Sequence, residues 1–387
     1  MTILTAARDL APTIAARAAD TEAQRRLPAD LAQQIADAGL FRMAVPRRLG
    51  GAEAAPADIL AALEILGAAD AATGWCTMIA GTTALAAAWL PERHAQAIFA
   101  DPRSITGGVF APLGKAVVDG DDFIVSGRWA WASGSANCHW LIGGAVIFDR
   151  SSEVGGVMRS LANGAPDHRM MFMPAGDIEL IDTWDTMGMR GTGSGDIVAS
   201  NVRIPADRSV SFLTDTPRDP GPLYAVPPFG LLALGIAAVA SGNALAALAD
   251  LRDLAGAKKA AGSSRRLAER ATVQADYARA EASLMAARAL AEVSVAAAWR
   301  EAQAGATLGI DTRARLRLAA THLTRTAAEV TRIAYDLAGG TAVYATHPLQ
   351  RRLRDAQVAT QHMMIAPATY ELTGRVLLGV PTDASVL

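Results

Sequence analysis

Histidine, cysteine and serine side chains are the first candidates for chemistry in this chain of 387 residues. The six histidines lack metal-ligand spacing, and Cys76 and Cys138 lack the spacing of a metal site or a redox pair. The sequence also contains no HExxH motif, GxSxG motif, Walker loop or dinucleotide-binding glycine fingerprint. We therefore expect no metal ion and no disulfide framework, and only isolated side chains, outside these motifs, are left as candidates for chemistry.

These isolated side chains also have purely structural interpretations. A lone histidine in an apolar segment, as His362 is, more often belongs to a core than to a catalytic site. Trp129 and Trp131 alternate with small residues, so one of them could be a core aromatic on a strand. Ser133 stands before Gly134 and could be an ordinary turn residue. The elements that position these side chains must therefore be considered next.

The order of predicted elements divides the chain into three domains. Alanine, the strongest helix former, dominates the first hundred residues and residues 231–337, which predicts an N-terminal α domain over 1–102 and a C-terminal four-helix bundle over 225–387. Between them, short β-favouring runs separated by glycine and aspartate predict a barrel-like β domain over 103–215. The fold class is therefore α+β.

Local signals predict several boundaries. Asp30 should cap a short helix that Gly39 ends, and Trp75 should lie in a loop. A hairpin is predicted over 116–126 and buried strands over 140–148, 170–174 and 196–204. The apolar run 229–240 should form a buried helix that ends at residues 241–243 and is too short to cross a bilayer. A final helix should run from about Pro348 toward Tyr370.

Composition narrows the classes of partner. The net charge of −2 provides no electrostatic attraction for nucleic acid or an anionic membrane, so we expect neither partner. The N-terminal residues lack the basic segment, apolar core and cleavage site of a signal peptide, and two unpaired cysteines suit a reducing compartment. These features favour a cytoplasmic protein.

Several segments, in the right order, resemble the acyl-CoA dehydrogenase superfamily along nearly the whole chain. They are residues 26–51, 127–134 (GRWAWASG), 187–192 (MGMRGT) with 201–205 (NVRIP), 338–340 (AGG) and 351–355 (RRLRD). The superfamily implies a flavoprotein with a helical, a β and a second helical domain. One departure is informative: where the dehydrogenases carry a catalytic glutamate, this chain has residues 361–364 (QHMM), and thioethers cannot act as bases.

The QHMM segment and the doubled tryptophan phrase resemble the group D monooxygenases, such as the oxygenase components of p-hydroxyphenylacetate hydroxylase and dibenzothiophene monooxygenase. This resemblance implies that reduced FMN or FAD, supplied by a separate NAD(P)H:flavin reductase, reacts with O2 to give a C4a-hydroperoxyflavin. That species hydroxylates an aromatic or polycyclic small molecule, and it needs a dry pocket because water promotes loss of hydrogen peroxide. The family is usually a homotetramer.

The resemblance also assigns roles to individual residues. His362 would lie near flavin C4a and manage a proton, and Ser133 would lie near flavin N5. Other residues would bind the cofactor or the substrate. The cofactor-binding residues would be Phe110, Ala111, Pro112, Trp131, Ser133, Arg266 (for the phosphate), Gly339 and Gly340, and the residues lining the substrate pocket would be Trp75, His94 and His139.

Two alternatives remain open at this stage. One is an acyl-CoA dehydrogenase or oxidase whose base lies elsewhere, which tight CoA-thioester binding would reveal. The other is a non-catalytic assembly protein that kept the fold, which would bind no flavin. The sequence does not distinguish FMN from FAD or hydroxylation from other oxygen transfers, and it does not identify the substrate.

Overall fold

The N-terminal part of the protein is helical, as the alanine content predicts. The structure is a computed structural model that describes residues 2–150, 156–259, 263–385 and 387. Its first five helices are α1 (Ile3–Gln24), α2 (Ala29–Asp37), α3 (Pro56–Ala69), α4 (Ala71–Ala84) and α5 (Glu92–Phe99).

Two local predictions in this region are wrong. Asp30 does not cap α2, because the helix begins at Ala29 behind Pro28, and the Asp30 carboxylate instead bonds the Arg17 guanidinium at 2.8 Å. Trp75 lies inside α4 and not in a loop. The helix begins at Ala71, directly after its N-cap Asp70. The Thr-Gly pair that suggested a loop is accommodated because Gly74 packs closely against the backbone of Gly67 in α3.

The middle of the chain forms one mixed sheet of eight strands. The strands are β1 (Thr106–Asp119), β2 (Asp122–Trp129), β3 (Trp140–Asp149), β4 (Val157–Met158), β5 (His168–Pro174), β6 (Glu179–Ile181), β7 (Asp196–Pro205) and β8 (Ser209–Val210). Their order is β6-β7-β2-β1-β3-β5-β8, and β4 pairs with β3. The predicted hairpin is confirmed: β1 and β2 pair antiparallel from Lys115 opposite Ser126 to Asp119 opposite Asp122. The Trp129 side chain is fully buried in the hydrophobic core of the sheet, so Trp129, and not Trp131, is the core aromatic.

The chain then returns to helices. They are α6 (Pro228–Ala257), α7 (Ala271–Gln303), α8 (Ile310–Ala338), α9 (Pro348–Ala359) and α10 (Ala368–Leu377). The predicted single helix from Pro348 toward Tyr370 is wrong, because the chain leaves α9 after Ala359 and makes a short 3-10 turn over Met363–Ile365 before α10.

The apolar helix α6 is longer than predicted. It continues through residues 241–243, where we expected it to end, because Gly242 serves close helix packing: a Cβ there would overlap the Glu64 carbonyl oxygen of α3. Both α6 and α7 are long and apolar enough to cross a membrane by length and composition alone. In α6, however, 89% of the most apolar window is buried within the protein, against 33% in α7. The α6 sequence is therefore accounted for by burial in the core.

One hydrophobic core joins the two helical parts. Residues of α1 through α5 share this core with residues of α6, α7 and α8, and a separate core fills the interior of the sheet. The division into domains over 1–102, 103–215 and 225–387 stays a prediction, since the two helical ranges bury their apolar faces in a single core.

Candidate active site

Trp75 is held by the N-terminal turn of α4. The buried Asp70 carboxylate caps this helix by accepting hydrogen bonds from the Thr73 backbone amide at 2.8 Å and from the Thr73 hydroxyl at 2.7 Å. One turn further, the Trp75 indole Nε1 donates to the Ser133 hydroxyl at 3.1 Å. The structure thus brings together two residues that the sequence analysis predicted, for different roles, to belong to the site.

Ser133 lies in the loop after β2, which pairs with the loop before β7. The Ala132 amide donates to the Gly195 carbonyl at 3.0 Å, and the Gly134 amide donates to the Thr192 carbonyl at 2.8 Å. Ser133 itself is buried, whereas Trp131 has a positive φ of 68° and exposes 72% of its surface. A positive φ is unusual for a bulky residue and marks a constrained turn, which here leaves the Trp131 side chain exposed.

Three hydroxyl groups form a row behind this loop. Ser133 Oγ lies 2.6 Å from Ser194 Oγ, which lies 2.5 Å from Thr192 Oγ1, and the Thr192 hydroxyl donates to the Met189 carbonyl at 2.8 Å. The sequence analysis did not identify Ser194 as a site residue. The alternation of glycine and hydroxyl residues over 191–195 could have indicated it. Such spacing lets another backbone segment pack closely against the glycines while the hydroxyls face one side.

Asp355 anchors the far end of this row. Its carboxylate accepts a hydrogen bond from the Met189 amide at 2.6 Å, and Gly188 packs so closely on the Arg354 backbone that a Cβ would clash. Burial, and then the nearby Asp70 carboxylate, raise the pKa of Asp355 to about 7. The preceding arginines make ion pairs within the chain, Arg352 with Asp250 and Arg354 with Glu22, each at 2.6 Å. The Arg-Asp segment therefore fixes the loop.

His362 packs against the Trp75 ring. The two rings meet edge to face with centroids 5.7 Å apart. His362 does not lie within a helix as predicted: it caps the turn over Met363–Ile365, where its Nδ1 accepts the Met364 amide at 3.2 Å. An accepting Nδ1 places the proton of the neutral ring on Nε2, so Nε2–H is a hydrogen-bond donor. Burial, and then the Arg317 charge, lower the pKa of His362 to about 4, which keeps the ring neutral at pH 7.

This depressed pKa makes a prediction for stability. Between about pH 6.5 and pH 4 the unfolded chain binds a proton at His362 and the folded chain does not, so acidification favours unfolding. From pH 7 to pH 4.5, we expect the wild type to lose ~2 kcal/mol of unfolding free energy relative to His362→Asn. Urea unfolding of both proteins at the two pH values measures this difference, and parallel pH profiles would contradict it.

Arg266, Gly339 and Gly340 lie together elsewhere, around Lys258. The Lys258 ammonium donates to the Ala338 carbonyl at 2.6 Å, and it lies 3.9 Å from the point where a Cβ on Gly339 would stand. The Lys258 carbonyl accepts a hydrogen bond from the amide of Leu267, the residue after Arg266. Arg266 and both glycines are exposed. Within the described ranges, no hydrogen bond or ring contact joins them to Ser133, Trp75 or His362. One chain therefore presents two separate groups of candidate residues.

The segment Phe110-Ala111-Pro112 lies in β1, where the pairing with β3 shifts register between Val109 and Gly114. Its Phe110 and Ala111 carbonyl oxygens come so close to Gly144 that no side chain fits there. The Phe110 ring packs edge to face against Phe212 and Phe229, with centroids 6.1 Å apart. These half-buried rings come from the sheet, the following segment and the start of α6.

His94 and His139 are not joined to the Trp75–Ser133–His362 group. His94 is buried with its Nε2 2.7 Å from an Asp207 carboxylate oxygen, next to the Arg93–Asp207 ion pair. His139 is exposed, and its Nδ1 accepts the Ile105 amide at 3.1 Å at the start of β3. Both histidines therefore have hydrogen bonds within the fold, and their place in a substrate pocket stays a prediction.

Family comparison agrees with the architecture. The model for the N-terminal domain of acyl-CoA dehydrogenases matches residues 2–93, and the model for the C-terminal domain matches residues 234–367. Indole-3-acetate monooxygenase of Pseudomonas putida is 32% identical over 94% of this chain and 90% of that protein. The chain belongs to the flavin-dependent monooxygenases of the acyl-CoA dehydrogenase superfamily, which confirms the predicted family and fold class.

Two solved structures extend the comparison. The HsaA monooxygenase of Mycobacterium tuberculosis superposes with a TM-score of 0.90 at 26% identity, covering 100% of this chain and 99% of that one. XiaF of Streptomyces sp., solved in complex with FADH2 and glycerol, superposes with a TM-score of 0.88 at 25% identity, covering 98% of this chain and 97% of that one. HsaA is described as the oxygenase subunit of a flavin-dependent monooxygenase.

Proposed function

We propose that this protein is the oxygenase component of a two-component monooxygenase that uses reduced FMN or FAD and O2 to hydroxylate a small aromatic molecule. The convergence of Trp75, Ser133 and His362 carries the proposal. Residues distant in sequence supply a neutral histidine donor and a buried hydroxyl, and both contact the same indole ring. The named relatives support an aromatic substrate, since one is an indole-3-acetate monooxygenase.

The residues around Ser133 fit a bound reduced flavin. The exposed Trp131 ring offers an apolar face beside the buried Ser133 hydroxyl, which suits a planar ring system with a polar edge. The half-buried ring cluster of Phe110, Phe212 and Phe229 adds an apolar wall at the junction of sheet and helices. When bound, reduced flavin supplies the activation of O2.

The chain's own residues would hold protons and exclude water. His362, neutral and with its proton on Nε2, donates a hydrogen bond to an oxygen atom in the site or passes that proton on. The edge-to-face contact with Trp75 and the cap on the Met364 amide hold the ring in one orientation. Ser133 holds a polar group of the cofactor from a position that is itself buried.

Arg266, Gly339 and Gly340 fit this function best if a second copy of the chain contributes them. They are exposed and lie at Lys258, apart from the Ser133 group. A guanidinium and two glycines suit a phosphate, through charge and close backbone approach. We therefore propose a homotetramer in which the phosphate end of the flavin lies between copies.

Helix α7 offers a surface for this assembly, and a charge placed there should disrupt it. Its outer face carries an exposed apolar stripe of Ala282, Met285, Ala286, Ala289, Leu290, Val293 and Ala296. We expect light scattering of the wild type at micromolar concentration to give four times the chain mass, and Val293→Glu to give a smaller species because a buried unpaired charge is costly. His322→Glu, at an exposed position of α8, is the control and should assemble normally. A monomeric wild type would contradict the tetramer.

A separate NAD(P)H:flavin reductase in the cytoplasm would supply the reduced flavin. The name of HsaA, the oxygenase subunit of a flavin-dependent monooxygenase, supports the proposal that reduction and oxygenation take place on separate proteins. The chain has no dinucleotide-binding glycine fingerprint of its own.

Rapid mixing tests the proposed function. Protein and reduced FMN are combined without oxygen and then mixed with oxygenated buffer, and the flavin absorbance is followed in time. We expect a transient species that precedes oxidised flavin and is absent with free FMN. Direct oxidation at the rate of free flavin would contradict the oxygenase function, and bleaching of bound oxidised flavin by a CoA thioester would favour a dehydrogenase.

A further inference from the structure

The row of hydroxyls behind Ser133 ends on a carbonyl oxygen. Oxygen atoms this close need a proton between them, and the Met189 carbonyl, 2.8 Å from the Thr192 hydroxyl, can only accept. The arrangement that gives every contact in the row one proton therefore has Thr192 donate to Met189, Ser194 donate to Thr192 across 2.5 Å, and Ser133 donate to Ser194 across 2.6 Å. Each hydroxyl has one proton, so the orientation of the first determines the others.

This direction leaves Ser133 as an acceptor. Its proton is used toward Ser194, and one of its two lone pairs accepts the Trp75 indole N–H at 3.1 Å. One lone pair remains. A group that binds at Ser133 must therefore bring an N–H or O–H to it, and a group that offers only a lone pair meets repulsion.

We propose that Thr192 and Ser194 are positioning residues that make Ser133 a hydrogen-bond acceptor and thereby select a cofactor that carries an N–H at that point. This inference rests on the proposed function, in which Ser133 lies at flavin N5. Reduced flavin has a hydrogen on N5 and oxidised flavin has only a lone pair there, so the row of hydroxyls favours the reduced form.

The row is built to keep this orientation. All three hydroxyl residues are buried, so water does not compete for their protons. The peptide that ends the row is also held in place by the Trp184 indole, whose N–H donates to the Met189 carbonyl at 2.9 Å. Asp355 fixes the same peptide segment through the Met189 amide.

Replacement of Thr192 tests the inference. Thr192→Val keeps the side-chain shape and removes the hydroxyl, so the Ser194 proton is released and Ser133 gains the freedom to donate. We expect the ratio of the dissociation constants of oxidised and reduced FMN to fall about tenfold, the worth of one hydrogen bond to a charged or strongly polar group. Thr192→Ser keeps the hydroxyl and should keep the ratio. Anaerobic titration with both forms of FMN measures it.

Two reference variants separate the possible outcomes. Thr331→Val removes a buried threonine hydroxyl that donates to the Ala327 carbonyl at 2.8 Å within α8, and it should leave the ratio unchanged. If Ser133→Ala lowers the ratio but Thr192→Val does not, the positioning role is refuted and the proposed function stands. If Thr192→Ser lowers the ratio as much as Thr192→Val, packing and not the hydroxyl matters, which also refutes the role. If Ser133→Ala has no effect, Ser133 does not lie at flavin N5, and the premise taken from the proposed function fails.

Discussion

Replacement of His362 by alanine should leave the folded protein able to bind reduced flavin while its oxygen-transfer step slows by roughly 10²–10⁴-fold, the contribution of a positioned proton-transfer group. The expectation follows from the state of the ring. His362 is neutral because its pKa lies near 4, and its Nδ1 is occupied by the Met364 amide, so Nε2–H is the group available to the site. Alanine removes that donor.

Single-turnover product yield and the hydrogen peroxide released per flavin measure this effect. Gln361→Ala is the matched control, because Gln361 is the exposed neighbour in sequence and should retain the wild-type yield. A His362→Ala protein with a lower melting temperature but an unchanged yield would show that His362 is a core residue only. The oxygenase function itself would still be tested separately by the rapid-mixing experiment.

The second large effect concerns the redox preference of the site. The protein should bind reduced FMN much more tightly than oxidised FMN and should be nearly colourless as purified. Ser133→Ala should weaken the binding of reduced FMN by about tenfold and should not weaken the binding of oxidised FMN, since a typical hydrogen bond contributes about 0.5–1.5 kcal/mol and tenfold lies at the upper end of that range. The buried position of Ser133 makes this contribution large, because no water replaces the lost hydroxyl.

Ser104→Ala is the control for loss of a buried serine. Ser104 and Ser133 are each 6% exposed, but the Ser104 hydroxyl has no hydrogen-bond partner within the described structure. Its replacement should affect neither redox form. Equal affinity of the wild type for oxidised and reduced FMN would refute the redox preference, whatever the variants do.

The sequence by itself determined the family, the order of helices and strands and the absence of the dehydrogenase glutamate. Helical periodicity and β-alternation depend on residues only a few positions apart, so they can be recognised without knowledge of the fold. The family segments quoted on sequence grounds also included Ser133, His362 and Asp355. Where local signals failed, packing had overridden them: Gly242 suggested the end of a helix but serves the close contact of α6 with α3.

Only the tertiary structure decided which side chains and backbone groups meet in the folded protein. Trp75 bonds Ser133 across 58 residues of sequence, Ser133 meets Ser194 across 61, and Met189 meets Asp355 across 166. No local pattern specifies such pairs, because a hydrogen bond between distant segments depends on how the loops and helices pack. The same packing gives His94 and His139 other hydrogen-bond partners, and it brings the hydroxyls of Thr192 and Ser194 next to Ser133.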